Sequence, residues 1–235
     1  MSTTCGRWTA AALLLAACSA SGEPGVRPDE HREEGRESVR FLALGDSYTI
    51  GEGVAEAERW PVQLAAQLRA RGMDVADPEI IARTGWTTDE LSAAIDARDP
   101  RGPYPLVSLL IGVNNQYRGR STGEYRQELA VLLRRAVGFA GGEAGRVIVL
   151  SIPDWGVTPF AEGRDRAAIG AEIDVFNRIG REETERAGAR FVDITPVSRG
   201  RAELVAPDGL HPSGAMYAEW AHLALPHAVA ALGSR

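Results

Sequence analysis

The sequence predicts one α/β domain, a doubly wound parallel sheet of five strands covered by helices on both faces to give three layers. Length and composition give the first support, since 235 residues with 44% apolar side chains can build a core of domain size. The second is order: from Val39 onward, short apolar runs alternate with segments of helical period. The third is the texture of those runs, which are continuously apolar, as strands buried on both faces should be.

Ahead of this body, residues 1–17 hold one cation, Arg7, an apolar stretch from Ala10 to Ala17, and small residues leading into Cys18. That is the three-part layout of a secretory signal. The apolar stretch is too short to span a bilayer. Leu15-Ala16-Ala17-Cys18 resembles a bacterial lipobox, which implies cleavage before Cys18, acylation of that residue and a membrane anchor worth roughly 0.8 kcal/mol per buried methylene. An ordinary signal cleaved near Ser19 to Ser21, with Cys18 discarded, is the other reading. Ser19, where sorting to the inner membrane would place Asp, resembles the signal that sends lipoproteins to the outer membrane of a diderm envelope. From Ser19 to Ser38, six acids and three arginines accompany a single sizeable aliphatic residue, Val26. Such a stretch cannot bury enough apolar surface to offset its ordering entropy, so a flexible tether of at most about 60 Å is expected, with His31 in water. The chain then divides into a signal over 1–17, the lipidated Cys18 and tether over 18–38, and the folded domain over 39–235.

Within the body, strands are expected over Arg40 to Leu44, Glu79 to Ala82, Leu106 to Val113, Arg146 to Ile152 and Arg190 to Ile194. Helical periods fall near Trp60 to Arg71, Thr88 to Ala97, Thr122 to Phe139, Ala167 to Ala187 and Ser213 to Leu232. Thr87 or Thr88, followed by Asp89 and Glu90, marks a helix start with acids at the positive end of the dipole. In such a sheet, ligands sit beyond the carboxyl ends of the strands, so chemistry is sought in the loops that follow them.

Composition removes several chemistries. The net charge of −6 argues against a nucleic-acid partner, which calls for a basic face. There is no lysine, which removes P-loop phosphate binding and Schiff-base cofactors. Both cysteines, Cys5 and Cys18, precede the domain, so the folded part has neither a thiol nucleophile nor thiolate ligands. His31, His211, His222 and His227 form no short metal-ligand spacing. No metal and no cofactor is therefore implied, and oxygen and imidazole chemistry remain.

After the first strand comes Gly45-Asp46-Ser47-Tyr48-Thr49-Ile50-Gly51-Glu52-Gly53. A phosphate-cradling loop, a plain glycine-rich turn and a nucleophilic serine on a tight strand-to-helix turn compete for it, and the first fails on spacing. The segment before the last helix reads Asp208-Gly209-Leu210-His211-Pro212-Ser213. A serine hydroxyl is a weak nucleophile that needs an adjacent base, and imidazole needs a carboxylate to hold its tautomer. Asp208 and His211 supply both in one turn, although each motif alone reads as an ordinary loop.

Gly45-Asp46-Ser47-Tyr48 together with Asp208-x-x-His211 resembles the first and last blocks of the GDSL, or SGNH, hydrolases, a family of serine esterases. Arg83-Thr84-Gly85-Trp86 and Gly112-Val113-Asn114-Asn115 resemble the two middle blocks, in the right order and each at a strand end. The resemblance implies a flavodoxin-like SGNH fold and ester hydrolysis through an acyl-enzyme. It makes Ser47 the nucleophile, His211 the base and Asp208 its partner, and assigns the oxyanion hole to the N–H groups of Ser47 and Gly85 and the side-chain amide of Asn114. Two letters depart from the family pattern: Tyr48 stands where leucine is usual, and Asn115 where aspartate is usual. Both are expected at the pocket, with Trp86 as a wall and Trp155, in the loop Pro153 to Pro159, as a second substrate contact. Trp60 and Phe160 are further aromatic candidates, although aromatics are more often core. Asp46 is expected to brace the turn through backbone hydrogen bonds rather than to act on substrate. His222 and His227, five apart on the last helix, are expected to be packing or surface residues.

The substrate class open to this chemistry is a small, aryl or thio acyl ester, a lysophospholipid, or an O-acetyl group on an envelope sugar. The alternative is a lipid-anchored binding protein that keeps the fold without turnover.

Overall fold

A computed structural model of the chain describes residues 38–233. The signal-like stretch, Cys18 and His31 lie outside them. In chain order the elements are β1 (Phe41–Gly45), α1 (Ser47–Ile50), α2 (Trp60–Arg69), β2 (Glu79–Ala82), α3 (Thr88–Arg98), β3 (Leu106–Leu110), α4 (Val113–Tyr117), α5 (Thr122–Phe139), β4 (Val147–Leu150), α6 (Arg166–Arg186), β5 (Arg190–Val192), α7 (Thr195–Gly200) and α8 (Gly214–Gly233). The five strands are parallel, in the order β2-β1-β3-β4-β5.

The inner strands β1, β3 and β4 are buried at every residue, while the outer strands β2 and β5 are partly exposed. Continuous apolar sequence and position in the sheet thus agree. Helices α2 and α8 pack together, α5 packs against both α3 and α6, and the sheet completes the three-layer arrangement. Burial of such apolar faces contributes roughly 25 cal/mol per Å².

Helix starts follow local hydrogen bonding. Ser121 caps α5 by accepting from Glu124 N at 3.1 Å, and Asp165 caps α6 by accepting from Ala168 N at 3.0 Å. At α3 the Glu90 carboxylate reaches back to Thr87 N at 2.9 Å, so Thr87 precedes the helix and Thr88 begins it.

Three strands end earlier than their apolar letters suggest. The third stops at Leu110 because Ile111, although buried, leads into a turn at Gly112, whose φ is 125°. A Cβ at Gly112 would lie 2.6 Å from the Tyr125 ring, so only glycine fits there. The fourth stops at Leu150 because the backbone of Ile152 is taken by the side chain of Asn177, through bonds of 2.7 and 2.9 Å. The fifth stops at Val192, just before α7, where the Asp193 carboxylate accepts from Thr195 N at 3.2 Å.

Topology and register place the site. From β1 the chain moves outward to β2, then crosses back past β1 to β3, so the winding direction reverses between β1 and β3. Loops diverge at such a reversal and leave a crevice. Gly45 lies level with Ala82 and with Leu110. The loops carrying Ser47, Gly85 and Asn114 therefore leave the sheet at one height.

Candidate active site

Ser47 opens α1 immediately after β1. The turn is held by Asp46, whose Oδ1 accepts from Tyr48 N at 3.1 Å and whose carbonyl accepts from Thr49 N and Ile50 N at 3.1 and 3.0 Å. This is the bracing part that the sequence assigns to Asp46. Its other oxygen, Oδ2, is buried without a hydrogen-bond partner. Burial pushes this carboxyl up to about 7, against the opposing effect of the bond from Tyr48.

Asp208 and His211 lie in the turn before α8. Asp208 Oδ1 accepts from the N–H groups of Leu210 and His211, both at 2.9 Å, while Oδ2 lies 2.6 Å from His211 Nδ1. Partial burial raises the carboxyl, but the bonds from the His211 ring and the two backbone amides outweigh it and hold Asp208 below the usual carboxylate range. With Nδ1 engaged, Nε2 is the ring nitrogen left for a proton donor. The His211 side chain is 10% exposed, and the Tyr48 ring meets the imidazole edge-on at 5.7 Å. Tyr48 in turn meets Trp220 of α8 at 5.9 Å, so the ring below the imidazole is itself packed on the last helix.

Asn114 lies in the first turn of α4, and its amide donates to Trp86 O at 2.9 Å, joining the loop after β3 to the loop after β2. One amide hydrogen is thereby used and one left. Arg118, one turn further on, donates to Gly85 O at 2.6 Å. Two successive carbonyls of the β2 loop are thus held by side chains of α4 and its cap, around a Gly85 whose φ is 87°. Among the described residues, the N–H groups of Ser47 and Gly85 take no part in the loop hydrogen bonds.

These groups converge on one cavity of about 160 Å³, lined by Ser47, Gly85, Asn114 and His211 together with Tyr48, Trp155 and Phe160. Among the described residues the Ser47 hydroxyl makes no hydrogen bond, so Ser47 and His211 share the cavity without a bond between them; such bonds often form only once substrate is bound. A larger hollow of about 460 Å³ lies at the other ends of the strands, among Val39, Arg40, Pro105 and Arg146. Its lining includes Ser38 but neither imidazole nor carboxylate, and the smaller cavity is the candidate site. Among the described residues, no group of three or more His, Cys, Asp or Glu side chains is placed to hold a metal ion.

Two expected pocket residues lie elsewhere. Asn115 is fully buried, accepting from Thr88 N at 3.1 Å and donating to Thr88 Oγ1 at 2.6 Å. Successive helical residues are turned about 100° from one another, so when Asn114 faces the cavity, Asn115 is directed into the α3 contact. Trp86 contributes its carbonyl, while its indole packs against the core and does not line the cavity. Trp60 is a core residue with no exposure. His222 is exposed and His227 half-buried on α8. Tyr117, Thr84 and Leu210 line the cavity without having been singled out. Tyr117 was within reach of a sequence argument, because it sits three residues after Asn114 and so shares its helical face. Arg118 carried no such signal, since its role is visible only once two loops are brought together.

Comparison with known proteins bears on the family and the fold. The model of the GDSL-like Lipase/Acylhydrolase family matches residues 43–219. No curated protein matches the chain. Among solved structures, TesA superposes with a TM-score of 0.64 at 21% identity, covering 80% of this chain and 97% of its own. The psychrotrophic esterase EstA from Pseudoalteromonas, inhibited by monoethylphosphonate, gives 0.60 at 17%, covering 80% and 95%. A variant of Axe2, an acetyl-xylooligosaccharide esterase from Geobacillus, gives 0.60 at 19%, covering 84% and 95%. At these identities the likeness is one of fold.

Proposed function

Because the chain belongs to the GDSL-like lipase/acylhydrolase family of ester-hydrolysing enzymes, we propose that it cleaves short-chain acyl esters through a Ser47-His211-Asp208 triad. The observation that carries this reading is the shared cavity, in which Ser47, Gly85, Asn114 and a carboxylate-held His211 meet.

In this reading the Ser47 oxygen attacks the acyl carbon while His211 Nε2 takes its proton. The same proton passes to the departing alcohol as the acyl–oxygen bond breaks, leaving Ser47 acylated. Water then attacks the acyl-enzyme with its proton passing to His211, which hands it to the Ser47 oxygen as the acyl–oxygen bond breaks, releasing the acid and the free serine. Asp208 keeps the ring in its Nδ1–H tautomer and offsets the charge that the ring acquires. The negative charge on the carbonyl oxygen falls to the Ser47 and Gly85 N–H groups and the remaining Asn114 amide hydrogen; one such donor typically contributes about 10² to 10³ in turnover.

Size supports a short acyl group. A cavity of about 160 Å³ is well below the roughly 300–1,000 Å³ of sites for drug-sized ligands, and the aromatic rings of Tyr48, Trp155 and Phe160 close its walls. The acetyl ester named for Axe2 falls in this size class. The lipobox-like Leu15-Ala16-Ala17-Cys18 supports, as part of the same proposal, an exported enzyme anchored to the membrane through Cys18.

The test is turnover of 4-nitrophenyl esters from two to sixteen carbons. The expected order is acetyl and butyryl well ahead of longer chains. Ser47→Ala and His211→Ala should each lower kcat by several orders of magnitude, and the double variant little further, because triad members act as a unit. Additive losses, or an unimpaired Ser47→Ala, would reject the triad.

A further inference from the structure

The outer part of the cavity carries a feature that ester hydrolysis does not use. Tyr117 and Phe160, two of its lining residues, are 48% and 39% exposed, and with Trp155 they form a cluster of three rings at centroid distances of 5.5, 5.9 and 6.2 Å. Over this cluster lies the guanidinium of Arg164, from the loop before α6, at 5.5 Å from Tyr117, 5.4 Å from Trp155 and 5.1 Å from Phe160. It also donates to Tyr117 OH at 3.4 Å.

The charge of Arg164 is otherwise uncompensated. Arg118 and Arg120 are met by Glu90 and Asp89, whereas among the described residues no ion pair involves Arg164. Three ring faces hold a guanidinium by cation–π attraction, and beyond the one bond to Tyr117 OH this leaves N–H donors for a ligand; holding the group in place lowers the entropy cost of engaging one. The rim is also electrically uneven. On the β2 side, Thr84 of the cavity wall is hydrogen-bonded to the Glu52 carboxylate, while the aromatic side, on the loops after β3 and β4, presents the cation.

The size argument places the short acyl group in the enclosed part, so the alcohol portion of the ester is what extends past Tyr117 and Phe160. We propose that Arg164 binds an anionic oxygen group, a carboxylate or phosphate, on that alcohol portion, and that the enzyme prefers esters of anionic alcohols to neutral ones. A planar fork of N–H donors suits both anions, and a charge-assisted bond at a half-exposed rim is strong enough to set a preference without fixing the whole substrate. The inference rests on the hydrolase reading above.

The experiment compares a matched pair, 4-acetoxybenzoate and its methyl ester, with 4-acetoxyphenyl phosphate as the second anion, in the wild type and in Arg164→Gln. The ratio of anionic to neutral kcat/KM cancels intrinsic leaving-group reactivity when the two proteins are compared. The expected result is a fall of about tenfold in that ratio in Arg164→Gln, carried by KM, with hydrolysis of the methyl ester retained as the internal control of folding. Raised salt should lower the ratio in the wild type and leave the variant unchanged. An unaltered ratio with the methyl ester still cleaved would overturn the inference alone, as would equal losses on all three esters, which would make Arg164 a support for the rings. A response confined to the phosphate or to the carboxylate would support the inference and identify the anion. Failure of the wild type to cleave any of the three would reject the hydrolase reading itself and the inference with it.

Discussion

At the scale of single residues, the least comfortable group is Asp46. Its Oδ2 is buried without a partner, and burial holds the carboxyl at about 7 in the folded protein against an ordinary value of 3.8. Between those values the folded state binds the proton more tightly than the unfolded state, so stability should fall as pH rises from about 4 to about 7 and then level off. Asn at position 46 would keep an oxygen for Tyr48 N and could not ionise. Asp46→Asn is therefore expected to flatten that fall, gaining on the order of 3 kcal/mol relative to wild type at pH 8 compared with pH 4, as read by urea denaturation at the two pH values. A parallel loss in both proteins would mean that Asp46 is not the titrating group. The residues proposed for catalysis were legible in the sequence because each sits in a short motif in a loop or turn. The supporting residues were not. Asn115 shares its dipeptide with Asn114, and the helical turn that separates them has no letter of its own.

At the scale of elements, Glu79–Ala82 and Thr122–Phe139 coincide with the apolar run and the helical period that announce them. The third and fourth strands were read too long, since Ile111 and Ile152 are buried beyond the last ladder bond and apolar character does not distinguish a paired residue from one packed beneath a loop. Helix α8 runs through Pro226, against the usual rule that proline ends or kinks a helix. Pro226 is exposed, and His222, whose carbonyl loses its i+4 partner, is exposed too, so water can satisfy the freed group. The packing of α8 on α2 keeps the helix continuous. Pro226→Ala should then stabilise the domain by about 1–2 kcal/mol, seen as a higher urea midpoint at unchanged slope. Destabilisation would mean that the proline ring itself contributes to packing.

At the scale of the whole molecule, there is no lysine and the net charge is −6, and ion pairs such as Arg126 with Glu182 lie on the surface. What sets Arg164 apart is its place over the three rings at the cavity rim. The amino-terminal motif gives the prediction that belongs here. Full-length protein expressed in a bacterium with lipoprotein processing should partition with membranes and show the mass of an acylated Cys18 amino terminus, while Cys18→Ser should move to the soluble fraction with its esterase activity intact. Equal partitioning of the two would leave an ordinary signal as the correct reading. Placement of the site has a temporal side as well. Ser47 follows the first strand, whereas Asp208 and His211 precede the last helix, and the Tyr48 ring beneath the imidazole leans on Trp220 of that helix. A chain emerging from the ribosome carries Ser47 early but receives Asp208 and His211 among the final residues made. On the proposed mechanism, competence to cut esters is thus withheld until synthesis is nearly complete, and a product truncated ahead of Asp208 is expected to be inert.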